Sequence, residues 1–148
     1  MPEATSHTLV QALRSVPDFA AMDDAALLRI VGASANLVWA AGSSVFEAGS
    51  TSEALYIVLS GEVSVSEDAE GTETEIARVR AGESFGELSL MLHTAHTKSA
   101  RATQPTELMV LPRASFEELL ATNADLAARF RHRLEERLPV RGAITSTT

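Results

Sequence analysis

The stretch that decides the fold runs from residue 80 to residue 102 and reads RAGESFGELSLMLHTAHTKSARA. Gly82 and Gly86 flank Phe85, and a glycine on each side frees the backbone to turn sharply around one aromatic side chain. The following residues, 87–92, have the composition of one or two helical turns. A short helix that starts at Gly86 would point unpaired N–H groups outward, an arrangement that suits an anion such as a phosphodiester.

The segments around this stretch predict strands, with helices at both ends of the chain. ALYIVLS at 54–60 is a compact apolar run, and VSVS at 63–66 alternates as a half-buried strand does. Helical patterns occupy residues 9–33 and the part of the chain after Pro112. In the last helix four apolar residues recur every four positions: Leu126, Phe130, Leu134 and Leu138. The order helices, strands, helices predicts an antiparallel barrel or sandwich with helical flanks.

Composition limits the classes of function. The chain has 148 residues, no cysteine and a formal net charge of −8. The length predicts one domain, and the lack of cysteine excludes disulfides, thiolate metal sites and a cysteine nucleophile. The acidic balance disfavours nucleic acid and anionic membranes as partners, because both attract clustered Lys and Arg. No apolar run approaches the ~20 residues of a membrane span, and no signal-peptide pattern opens the chain. We therefore expect a soluble, cytoplasmic protein.

Three stretches, in this order, resemble the cyclic nucleotide-binding domain family. They are LRSVPDFAAMDDAALLRI at 13–30, GSSVFEAGSTSEALYIVLSGEVSV at 42–65, and the stretch at 80–102. They are similar to the family's N-terminal helical entry, its glycine-punctuated β-roll and its phosphate-binding cassette. The resemblance implies a mainly β fold within residues 8–138: an eight-stranded antiparallel jelly-roll barrel (a double-stranded β-helix) with N-terminal helices and two C-terminal helices. The tails, 1–7 and 142–148, are expected to be disordered.

The resemblance also implies a function and a site. The domain would be a stand-alone, non-enzymatic sensor without a cofactor, binding cAMP or cGMP through residues 82–99 and signalling through its C-terminal helix. The implied ligand-binding residues are Phe85, Gly86, Glu87, Leu88, Ser89, His96, Thr97 and Lys98. Glu87 would accept a hydrogen bond from a sugar hydroxyl, as acidic residues do at the ribose of dinucleotides. From the residues alone, the alternative is that this carboxylate only complements a helix dipole.

The cassette departs from the family pattern where the phosphate would bind. The family has a proline and an arginine there, and this chain has Ala95 and His96. Three interpretations stay open. His96 binds the phosphate as an imidazolium, or Lys98, the only lysine in the chain, supplies the charge, or the pocket has lost its ligand. In the third case the domain would be a degenerate, non-binding module for dimerisation or for a separate effector protein.

Two further hypotheses concern the surroundings of the cassette. The base would stack on the last helix, near one of four residues: Arg129, Arg131, His132 or Glu135. A metal site built from Glu87, His93 and His96 is disfavoured, because the two histidines fall in a predicted loop and metal ligation needs converging donors. Accordingly, no metal-ligating residues are predicted.

Overall fold

The structure is a computed structural model that assigns backbone conformation to residues 2–146 and describes the side chains of residues 8–68 and 70–135. The predicted disordered tails, 1–7 and 142–148, lie outside the described side chains, as does Leu138. The helices are α1 (Pro2–Arg14), α2 (Asp24–Ala33), α3 (Glu87–Leu92), α4 (Arg113–Thr122) and α5 (Ala124–Ser146), with a 3₁₀ turn at Pro17–Phe19. The strands are β1 (Ala35–Trp39), β2 (Ser44–Phe46), β3 (Ala54–Ser60), β4 (Glu62–Ala69), β5 (Thr72–Arg80), β6 (Ser84–Phe85), β7 (Ser99–Ala102) and β8 (Thr106–Pro112).

The eight strands form two four-stranded sheets. Their orders are β1-β8-β3-β6 and β2-β7-β4-β5, and every pairing is antiparallel. Helices precede the strands and two more follow them, with α3 inserted between β6 and β7. The prediction of a mainly β fold with eight antiparallel strands and flanking helices is confirmed.

Strands β3 and β8 are buried on both faces. Because successive side chains of a strand point to opposite faces, each strand contributes to two separate hydrophobic cores. Leu55 and Ile57 of β3 face a large cluster shared with the helices. Val58 of β3 and Leu108 of β8 face a smaller cluster between the two sheets, together with Phe85. The first core fixes the helices against the sheet, and the second leaves room between the sheets near the cassette.

The C-terminal helices are anchored in the larger core by aromatic residues. Phe116 of α4 and Phe130 of α5 are buried, and their rings meet edge to face at 5.4 Å between centroids and 87° between planes. Leu126 of α5 is buried in the same cluster. Leu126 and Phe130 of the predicted apolar stripe therefore pack on the domain's own core and hold α5 against it.

The cassette is attached to the first sheet by its shortest strand. In β6, Phe85 pairs with Tyr56 of β3, and the two rings stack at 5.2 Å. Gly86 follows with a φ of 89°, a left-handed conformation that an L side chain adopts only with strain. A Cβ there would also lie 3.2 Å from Cδ2 of Tyr56. The sharp turn predicted around Phe85 thus directs α3 across the open edge of the space between the sheets.

Candidate functional site

The candidate site is a cavity of about 320 Å³ between the cassette and the second sheet. All eight residues predicted for ligand binding line it. Six residues that sequence reasoning did not select also contribute: Phe46, Val65, Ile76, Ala77, Val79 and Ser84. The walls are largely apolar, with a few polar groups at the two ends, as is typical of small-molecule sites. The structure therefore brings the predicted residues together, while ligand binding by each of them stays a prediction.

At one end of the cavity lies Glu87, a carboxylate that is only 3% exposed. Its Oε2 lies 3.4 Å from Nη1 of Arg133 on α5. Nη2 of the same guanidinium donates to both carboxylate oxygens of Asp18 in the 3₁₀ turn, at 2.5 Å each. Three elements that are far apart in the chain therefore meet at one arginine: the cassette helix, the 3₁₀ turn and α5.

The charge of Arg133 is firmly retained. Burial alone would lower its pKa, but the hydrogen bond and charge of Asp18 and the charge of Glu87 outweigh burial and raise the pKa above its ordinary value. The guanidinium also lies 4.9 Å from the ring centre of Phe130, within the range of a cation–π contact. We call Asp18, Glu87 and Arg133 the acid–arginine cluster.

A second cavity of about 320 Å³ adjoins the first on the side of the acid–arginine cluster. Its walls include all three members of the cluster and also Arg78 and Glu83. Glu87 belongs to the walls of both cavities. Glu87 thus borders both cavities, and its carboxylate pairs with Arg133 of α5.

At the other end of the cavity lies His96, which is 4% exposed. Its ring stacks flat on Phe46, with 3.6 Å between the centroids and 4° between the planes. Its backbone is held by the loop between β2 and β3. The N–H of His96 donates to the carbonyl of Ser50 (2.9 Å), and its carbonyl accepts from the N–H of Gly49 (2.7 Å). Nε2 of His96 is buried and has no hydrogen-bond partner within the described side chains. Burial lowers the pKa of the imidazole, so the ring is neutral at neutral pH.

Lys98 also lines the cavity, from the loop that precedes β7. It is half-exposed, and its Nζ lies 3.4 Å from Oγ1 of Thr97. Ala100 and Ala102 in β7 are both 1% exposed, so these two alternate side chains point into the protein. Among the residues described along the cavity wall there is no arginine.

The predicted stacking of the base on α5 stays a prediction. None of Arg129, Arg131, His132 and Glu135 belongs to the described cavity wall. The α5 residue that reaches the cassette is Arg133, which sequence reasoning missed. Its position gave a signal. Arg133 lies three residues after Phe130 and seven after Leu126, so all three share one face of the helix. Phe46 had a signal too, as the aromatic residue of the GSSVF pattern.

The structure separates the two cassette histidines. His93 caps the C-terminal end of α3 and is exposed; its Nε2 lies 3.4 Å from Glu117 and its Nδ1 3.1 Å from Arg113. Within residues 8–68 and 70–135, no three acidic or histidine side chains form a group that could hold a metal ion. The helices in the described part of the chain are too short or too polar to cross a membrane.

Comparisons with known proteins identify the fold and the family. The family model described as "Cyclic nucleotide-binding domain" matches residues 37–123, more than half of the chain. The cAMP-dependent protein kinase type II regulatory subunit of Drosophila melanogaster is 29% identical over 120 residues, which are 80% of this chain and 32% of that protein. Lysophospholipase NTE1 of Phaeosphaeria nodorum is 39% identical over 80 residues, 53% of this chain and 5% of that protein.

Among solved structures, the sensor domain of the transcriptional regulator DNR from Pseudomonas aeruginosa is similar with a TM-score of 0.83. The two share 24% identity, and the match covers 93% of each chain. The curated relatives are much longer than this chain, which spans a third or less of their length. The match to the enzyme is confined to a segment of this one domain's size. The chain belongs to the cyclic nucleotide-binding domain family.

Proposed function

We propose that this domain is a cytoplasmic, non-enzymatic sensor whose cavity binds a ligand of the cyclic nucleotide type and whose α5 transmits the signal. The first ligands to test are cAMP, cGMP and the nucleosides they contain. The receiver of the signal is a partner that contacts α5, either a second copy of the chain or a separate effector protein.

The observation that carries this proposal is the double role of Glu87. The carboxylate lines the cavity and, on its other side, pairs with Arg133 of α5. A sugar hydroxyl that donates to the Glu87 carboxylate would compete with Arg133 for the same negative charge. A ligand can shift a conformational equilibrium only by its differential interaction with the two states, and Glu87 supplies such a difference.

The proposed consequence is a looser α5 in the liganded state. The contact between Arg133 and Glu87 is long, at 3.4 Å, whereas the contact with Asp18 is short, at 2.5 Å. The weaker contact yields first when ligand hydroxyls approach Glu87. Arg133 then remains on Asp18 alone, and the part of α5 after Phe130 gains freedom relative to the cassette.

Amide hydrogen exchange with and without ligand tests this. We expect saturating ligand to slow exchange in residues 84–92 and to speed it in residues 129–135. In Glu87→Gln the charge that both partners share is gone, so ligand no longer changes exchange in α5. The matched control is Glu67→Gln on the exposed part of β4, which should behave as the wild-type chain does.

The alternative of a degenerate, non-binding domain makes the opposite forecast. If isothermal titration with cAMP, cGMP, adenosine and guanosine gives no heat and hydrogen exchange does not change, the sensor function is wrong. The fold would then serve only as an interaction module.

A further inference from the structure

The proposed function does not specify which ligand group would bond to His96. His96 stacks on Phe46, and its backbone makes two hydrogen bonds, so the plane of its ring is held in place. His96 lines the cavity, and its Nε2 is buried without a hydrogen-bond partner among the described residues. A buried polar atom without a partner costs roughly 1–3 kcal/mol, which a ligand group can recover by bonding to it. This atom therefore points to a ligand.

The ligand group that suits Nε2 is one that both donates and accepts. In one tautomer of a neutral imidazole Nε2 donates a hydrogen bond, and in the other it accepts one. A hydroxyl satisfies either tautomer, whereas an oxygen of a cyclic phosphate can only accept. A phosphate oxygen can accept from Nε2–H of one neutral tautomer, but a neutral ring adds no charge–charge attraction to that bond.

The charges around the cavity do not favour an anion either. Glu87 places a carboxylate in the same cavity, and the positive charge of Arg133 is already shared between Asp18 and Glu87. That leaves Lys98, which is half-exposed and keeps its ammonium near water. An ion pair at such a position contributes about 1 kcal/mol or less. The side chains described around the cavity thus supply no net positive charge for a phosphate.

We propose that His96 is the specificity-determining residue of the cavity and that it selects an uncharged ligand with ribose hydroxyls, a purine nucleoside, over the cyclic monophosphate. Glu87 accepts from one sugar hydroxyl at one end, and His96 bonds to another hydroxyl at the other end. The apolar wall of Phe46, Val65 and Val79 excludes water between them. This inference rests on the proposed function, because it names the ligand class of the same site.

Isothermal titration of the full chain with two matched pairs tests the proposal: adenosine against cAMP, and guanosine against cGMP. The members of each pair differ in the cyclic phosphate, and the titration is made at about pH 7.5, above the ordinary histidine pKa. In at least one pair the nucleoside should bind about tenfold more tightly, the size of effect expected for one buried hydrogen bond.

Variants at the cassette histidines locate the cause. In His96→Arg the preference should reverse by about tenfold, because a guanidinium fork binds phosphate oxygens well. His96→Gln keeps a neutral side chain that donates and accepts, so it should keep the preference for the nucleoside. His93→Arg, on the exposed cap of α3, is the matched control and should leave the preference unchanged.

The outcomes separate this inference from the proposed function. Tighter binding of the cyclic monophosphate to the wild-type chain, or equal binding within both pairs, overturns the nucleoside preference and leaves the sensor function standing. If both His96→Gln and His93→Arg lose the preference for the nucleoside, the role of His96 in that preference is also overturned. Binding of none of the four compounds up to about 1 mM overturns both proposals.

Discussion

The two ends of the cavity hold a buried polar side chain in opposite ways. At one end Glu87 pairs with Arg133, which also binds Asp18. At the other end His96 is neutral because it lies flat on an aromatic ring and is shielded from water. The first arrangement uses groups from three distant elements, and the second uses one aromatic neighbour and a short loop.

The difference indicates what each end can do. A charged carboxylate connected to α5 can report the arrival of a ligand, because any new donor changes its pairing. A neutral, immobile imidazole has no such connection and can only select among ligands. The cavity thus divides transmission and selection between its two ends. The three predictions below test this division through protein stability, from the largest expected effect to the smallest.

The largest effect is expected from removing the cation of the acid–arginine cluster. Arg133→Ala leaves Asp18 and Glu87, whose side chains are 9% and 5% exposed, without their shared partner. Breaking a buried ion pair on one side typically costs about 3 kcal/mol, so we expect a loss of that size in urea unfolding.

A control and a second substitution sharpen this prediction. Arg129→Ala, on the exposed side of the same helix, should change stability by only about 0.5 kcal/mol or less. Glu87→Gln added to Arg133→Ala should recover part of the loss, because it removes one of the two carboxylate charges that Arg133 had balanced. A loss in Arg133→Ala no greater than in Arg129→Ala would show that the cluster does not hold α5.

A smaller effect is expected from removing the ring under His96. Phe46 is half-buried and contacts three rings: those of Tyr56, Phe85 and His96. We expect Phe46→Ala to lower the free energy of unfolding by about 2 kcal/mol, less than for a fully buried phenylalanine. Phe46→Leu keeps most of the volume and should lose less. Equal losses in the two variants would show that the aromatic stack contributes nothing beyond its volume.

The smallest effect is a pH dependence that originates at His96. Its pKa in the folded chain lies below the ordinary 6.5, because burial disfavours the imidazolium. As the pH falls below about 6.5, the unfolded chain therefore takes up a proton before the folded chain does, and stability decreases. Above about 6.5 this contribution is fully present. Glu62 and Glu75, whose pKa values are lowered by hydrogen bonds and nearby arginines, lose their contributions only at more acidic pH.

Urea unfolding between about pH 7.5 and 5.5 measures this dependence. The wild-type chain should lose stability across that range, and His96→Gln should show a flatter profile. His93→Gln, with its exposed ring, should follow the wild-type slope. If His96→Gln keeps that slope as well, the neutral state of His96 in the folded chain is refuted.

Much of the fold could be predicted because its signals are local. The run ALYIVLS forms β3 over Ala54–Ser60. The sharp turn predicted between Gly82 and Gly86 is a two-residue strand followed by Gly86 with a φ of 89°. Strand alternation and left-handed glycines depend on neighbouring residues. The eight predicted site residues share one cavity for the same reason, since they lie within a single short stretch of chain.

The sequence by itself therefore determined the strands, the cassette and the residues that face the cavity. Only the tertiary structure decided which polar side chains form ion pairs and which are shielded from water. Arg133 meets Glu87 across 46 residues and Asp18 across 115, and that meeting depends on how α5 docks through Phe130. Similarly, burial against Phe46 of β2 lowers the pKa of His96, which lies in the loop between α3 and β7. Charge and desolvation depend on distances in space, and periodicity along the chain does not contain them.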